Sequence, residues 1–108
     1  MTATDYQAFT KTTAIYPQDQ ALPYLALGLA SEAGEVAGKV KKLIRDDQGV
    51  LNAVNKDGIL REIGGTLWYA SELCNKLGVT LEEVFELNRT ELLSRQSRGT
   101  LGGSGDNR

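Results

Sequence analysis

Hydrophobic residues in this chain recur with the period of an α-helix along most of its length. Between Leu22 and Leu43 they fall at Leu22, Leu25, Leu29, Val36, Val40 and Leu43, in steps of 3, 4, 7, 4 and 3, which keep one helical face apolar. This spacing predicts a long amphipathic helix from Pro23 to near Arg45. Ile59, Ile63, Leu67, Ala70, Cys74 and Leu77 predict a second, with Gly78 placed as its C-terminal cap. Between the two, Asp46, Asp47, Gln48 and Gly49, continued in the same style from Asn52 to Gly58, read as a connecting loop of roughly ten residues.

Shorter segments flank this pair. Thr4 to Ala14 predicts a first helix, separated from the long one by Pro17 and Pro23. Thr80, with Glu83 three residues later, forms a capping-box signature for a last helix that runs to about Gln96. The stretch Arg98 to Arg108 holds four of the twelve glycines and a single apolar residue, Leu101, which predicts a flexible tail. The expected fold is therefore all-α: a single domain over residues 1–97, built as an antiparallel bundle of about four helices, followed by a tail over 98–108.

Composition then narrows the function classes. Twelve basic residues against fourteen acidic ones give a formal charge of −2, so no global field favours duplex nucleic acid as a partner. The chain has no histidine, which removes histidine acid–base chemistry, histidine metal sites and histidine-dependent triads. The single cysteine, Cys74, cannot form an intramolecular disulfide, and the N-terminus shows no charged-then-apolar leader. A cytoplasmic setting is expected on those grounds. The longest apolar run, Tyr24 to Ala30, is far short of the roughly 20 residues that span a bilayer, so a membrane is not an expected partner. A domain of this size hides only about two-thirds of its unfolded surface, so assembly as a homodimer or homotetramer is expected.

Carboxylates remain, and the informative ones interrupt apolar stripes. Glu32 lies three residues after Leu29 and four before Val36, and Glu35 follows one turn later on the adjoining face. Buried together, the two would repel unless a cation neutralised them. Glu62, beside Ile59 and Ile63, is placed to add a third oxygen ligand from across the bundle. Oxygen ligation without histidine or cysteine selects magnesium, with manganese as the alternative. The ordinary counter-reading is a solvated pair of acids, with Glu35 and Lys39 forming an i,i+4 ion pair. On the last helix, Leu81, Phe85, Asn88, Leu92 and Arg95 follow steps of 4, 3, 4 and 3, which sets an amide and a guanidinium on an apolar stripe facing the same bundle. Such groups suit a phosphate-bearing ligand. Lys39, Lys42 and Arg45 add a positive strip to the long helix.

These residues also match a known pattern. The run Leu29-Ala-Ser-Glu-Ala-Gly-Glu-Val-Ala-Gly-Lys-Val-Lys-Lys, then Arg61-Glu-Ile-Gly-Gly-Thr-Leu-Trp-Tyr, Leu77-Gly-Val-Thr-Leu-Glu-Glu-Val and Asn88 through Arg95, resembles the MazG-like family of all-α nucleotide pyrophosphohydrolases over nearly the whole chain. The family's signature is a Glu-Glu-x-x-Glu run and a later Glu-x-x-Asp run. The resemblance implies magnesium-dependent conversion of a nucleoside triphosphate to a monophosphate and pyrophosphate. It further implies Glu32, Glu35 and Glu62 as metal ligands, with Ser31 standing where the first acid of the run would be. Glu35 is the expected catalytic base, Lys39, Lys42 and Arg95 would neutralise phosphate charge, and Asn88 would orient sugar or phosphate. Trp68 is the candidate for facing the base, although an aromatic at helical spacing more commonly belongs to a core. Gly65 departs from the pattern, because it stands where the family has a metal-binding aspartate. With that ligand missing, water could complete the coordination, Asp47, Asp57 or Glu72 could replace it, or the protein could bind nucleotides with little turnover. A plain helical adaptor is the reading from a different class, and it leaves the polar residues on the apolar stripes without a purpose.

Overall fold

The computed structural model describes residues 1–108 and contains four α-helices, one 3-10 turn at Gln18–Gln20 and no strand. Helix α1 spans Ala3–Lys11, α2 Ala21–Asp46, α3 Ala53–Leu77 and α4 Leu81–Ser97. None of them is long and apolar enough to cross a membrane.

The helix starts follow from local chemistry. Reciprocal capping boxes open α1 with Thr2 and Asp5, α3 with Asn52 and Asn55, and α4 with Thr80 and Glu83. The Asn52 box corrects the predicted loop, because α3 starts ahead of Ile59 and the connection shrinks to residues 47–52. The Asn55 side chain also reaches back to the Val50 carbonyl at 3.1 Å and to Asp47 at 3.2 Å, so the polar run that reads as a turn is itself the cap. Helix α1 ends at Lys11 rather than Ala14, since the hydroxyls of Thr12 and Thr13 bond the carbonyls of Phe9 and Thr10 at 2.7 and 3.1 Å. Pro23 lies inside the first turn of α2, where its missing N–H removes no intrahelical bond. At the far end of α3, Gly78 caps the helix with φ +72°, as its position predicts.

Helices α2 and α3 form an antiparallel hairpin, α1 packs on α3, and α4 leans on α1 near its own start without running along α2 or α3. The apolar centre is small. Tyr16, Ala21 and Leu25 form it, with Ala14, Trp68, Tyr69 and Leu73 packed around them. The radius of gyration is 16.7 Å, against about 13 Å for a compact chain of this length. The stripe on α4 is accordingly a correction to the four-helix expectation: only Leu81 is buried, Phe85, Asn88 and Leu92 are exposed, and Arg95 pairs with Glu91 of its own helix at 2.8 Å. Periodicity sets that stripe apart, but no neighbouring helix of the same chain covers it.

Helix α1 is held by polar rather than apolar contacts. Glu72 is 2% exposed and accepts hydrogen bonds from Thr10 at 2.9 Å, Tyr16 at 2.7 Å and Asn75 at 2.7 Å. The Ser71 and Thr10 hydroxyls share a hydrogen bond of 2.8 Å. Gln7 completes the junction by donating to Asn75 and to the Val79 carbonyl, both at 2.9 Å, and accepting from the Leu81 N–H at 2.8 Å. A buried carboxylate surrounded by donors in this way is satisfied without a cation.

Burial, with the hydrogen bond to Glu72 and its charge behind it, pushes the Tyr16 hydroxyl up to about 12 from 10.0. Because the folded-state value is the higher one, this contribution to stability is complete below pH 10 and is lost as pH rises toward 12. Thermal unfolding followed from pH 8 to pH 12 is expected to show a falling Tm above about pH 10 that is blunted in Tyr16→Phe. An identical alkaline profile in both proteins would remove Tyr16 as its cause.

Candidate functional site

The acidic residues converge on the seam between α2 and α3. Glu32, near the middle of α2, is half-buried and faces Glu62 of α3. The Glu62 carboxylate, within hydrogen-bonding reach, raises the Glu32 carboxyl above its ordinary value, helped by burial and by the charges of Glu62 and Glu35. Lys39, two turns along α2, approaches the same place, with its ammonium 3.6 Å from Glu62. The seam therefore concentrates two carboxylates and one cation in partial burial, where charges interact more strongly than on an open surface.

Gly65 explains how Glu32 fits. A Cβ at that position would lie 2.7 Å from Glu32 Oε2 and 2.8 Å from Cδ, so the Glu32 carboxyl occupies the space that any side chain at 65 would take. The glycine makes room for an acid on the neighbouring helix. Gly58 does something similar on a smaller scale, since a Cβ there would touch Lys39 Cδ at 3.3 Å.

The remaining sequence-predicted residues are dispersed. Glu35 is exposed on α2, close enough for its charge to be felt at Glu32. Lys42 is exposed, and its charge acts on Asp46, which is already paired with Arg45 at 2.8 Å. Trp68 belongs to the aromatic cluster: it packs edge-on against Tyr16 and Tyr69 and donates its indole N–H to Thr13 at 2.7 Å. Asn88 and Arg95 lie on α4, away from the acidic seam of the same chain. None of the acids named as replacements joins the seam. Asp47 accepts from Asn55, Asp57 pairs with Arg61 at 2.8 Å, and Glu72 is enclosed by the donors that hold α1. Residue type alone leaves Glu72 as an available ligand; its neighbours Thr10, Ser71 and Asn75, all able to donate, are the signal of a structural role.

No three acidic side chains are close enough together to make a complete metal-ligand set. The seam offers a pair of hard oxygen donors instead. Such a pair fits magnesium, which keeps several waters and is commonly held by one or two carboxylates together with substrate phosphates.

Comparison with known proteins gives one relative. The chain is 44% identical over 109 residues to the Gene 37 protein of Mycobacterium phage L5, spanning 95% of this chain and 96% of that protein. No family model matches, and no solved structure matches.

Proposed function

The chain belongs to the family of the Gene 37 protein of Mycobacterium phage L5, and we propose that it is a magnesium-dependent nucleotide pyrophosphohydrolase converting (d)NTP to (d)NMP and pyrophosphate. The observation that carries this reading is the meeting of Glu32 and Glu62 across the α2–α3 seam, with Lys39 beside them and Gly65 clearing space for the Glu32 carboxyl. Two carboxylates brought together in partial burial repel, Lys39 offsets one of the two charges, and a divalent cation is the ligand that would neutralise the pair. The resemblance to MazG-like pyrophosphohydrolases supports the same chemistry.

In this reading Glu32 and Glu62 hold magnesium or manganese, which supplies Lewis-acid polarisation of a phosphoryl oxygen when bound. Lys39 lies at the seam to offset phosphate charge, and Lys42 extends that positive strip one turn further. Glu35 is solvent-facing one turn from Glu32, a position from which its carboxylate takes the proton of an attacking water. A nucleotide-binding protein with little hydrolysis is the second reading, favoured by Gly65, which leaves the α3 side of the seam with Glu62 as its single acid.

Pyrophosphate release from a panel of ribo- and deoxyribonucleoside triphosphates with magnesium or manganese tests both. Wild-type turnover is expected, with a loss on the order of 100-fold or more in Glu32→Gln, while Glu86→Gln, which alters an exposed pair with Arg89 on α4, leaves the rate unchanged. Turnover by Gly65→Asp alone would select the binding-only reading. Release by neither protein, with no thermal stabilisation by magnesium plus nucleotide, would sink both.

A further inference from the structure

Lys39 starts on α2 but lies against α3. A Cβ at Gly58 would stand 3.3 Å from Lys39 Cδ and 3.7 Å from both Cε and Nζ, so the lysine stem runs over the bare backbone of that glycine. Its ammonium then reaches Glu62 Oε1 at 3.6 Å, with 39% of the Lys39 side chain and 22% of the Glu62 side chain exposed. A larger residue at 58 would crowd this path across the seam. Lys42 has no such resting place: it is exposed, and its charge acts on Asp46.

The contact changes what the seam presents to a cation. Glu32 and Glu62 together carry two negative charges when ionised and Lys39 cancels one of them, which leaves a net charge of −1 instead of −2. An ammonium and a divalent metal ion compete here, because Glu62 is a partner for both. A triphosphate alters the competition, since its oxygens offer the ammonium a second partner of higher charge. The unbranched stem of Lys39, partly exposed along its length, is free to turn from one partner to the other.

We propose, on the reading of the seam as a magnesium and nucleotide site, that Lys39 is a built-in counter-ion for Glu62: it weakens the hold on free divalent metal and turns to the phosphates when metal and triphosphate arrive together. Gly58 is the positioning residue that lays the lysine across the seam. The two ligands are thereby coupled, each raising the affinity for the other by the same factor. The protein takes its metal as the triphosphate complex in preference to the free ion.

Calorimetric titration of the full chain with manganese alone, and with preformed manganese tripolyphosphate, tests this. Lys39→Met keeps the stem and removes the charge. It is expected to bind free manganese about tenfold more tightly than the wild type and the tripolyphosphate complex about tenfold more weakly. Lys41→Met removes a charge from the same helix about 200° around its axis, and both affinities are expected to stay within about twofold of the wild type. The opposite signs are the signature of the counter-ion role. A lysine that only meets phosphate would leave the affinity for free manganese unchanged in Lys39→Met, and one that only holds the hairpin together would weaken both ligands. Either result overturns the role of Lys39 while manganese binding by the wild type leaves the metal reading of the seam standing. Binding of neither ligand to any of the three proteins would overturn that reading, and the counter-ion with it.

Discussion

Glu72→Ala is expected to lower stability by about 3 kcal/mol or more, because it strands the Tyr16 hydroxyl as a buried donor, takes the shorter of their acceptors from Thr10 and Asn75, which keep the Gln7 carbonyl, and leaves a cavity beside them. For a domain of this size that corresponds to a Tm lower by roughly 12 °C or more, read by circular dichroism at fixed protein concentration. The effect should be concentrated in α1, which has no large apolar anchor at this junction: Thr10 and Ser71 are both fully buried beside Glu72. Glu72→Gln should lose less, since one amide oxygen still accepts, but the amide nitrogen then faces groups that also donate. Equal stability of Glu72→Ala and the wild type would mean that α1 is held by something other than this carboxylate. The same experiment separates Glu72 from the acidic seam, because magnesium should not restore the variant.

Gly28→Ala is the second large effect. A Cβ at 28 would overlap the Tyr69 ring, which is itself fixed between Trp68, at a centroid distance of 5.0 Å, and Tyr24, at 6.4 Å. The ring has little room to move, so overpacking at the α2–α3 crossing is expected to cost about 3 kcal/mol, only partly offset by the roughly 1 kcal/mol that alanine gains over glycine in helix propensity. Gly34→Ala provides the contrast within the same helix. A Cβ at 34 would meet nothing within 4 Å, so only the propensity gain remains and stability should rise by about 0.5–1 kcal/mol. Adding Tyr69→Leu to Gly28→Ala should recover part of the loss, giving a coupling of about 1 kcal/mol between the two positions. Strict additivity would place the strain somewhere other than at the ring.

Helix starts are readable wherever a cap residue and its partner sit three apart, as at Thr80 and Glu83. At Asn52 and Asn55 the same device is hidden, because asparagines serve turns and caps alike. Glu32 is legible as an acid out of place on a stripe, and Glu62 as its counterpart across the hairpin. Gly65 is legible as an anomaly, but its cause lies 33 positions away in sequence on another helix. The α4 stripe shows the opposite failure, since Asn88 is exposed where periodicity indicates burial, and Arg95 is partly covered although no helix packs along it.

Residue spacing and capping chemistry are local, and they were enough to determine that this protein is helical, that it has four helices in this order and which faces are apolar, but not where α1 ends or α3 begins. The partner of each face is a nonlocal property. Only the tertiary structure decided that α2 meets α3 through Gly28, Glu32 and Gly65, that Glu72 holds α1, and that the most regular stripes remain open. The physical reason is that a periodic pattern specifies which side of a helix must leave water, whereas packing geometry selects the neighbour, on the same chain or on another, that removes it.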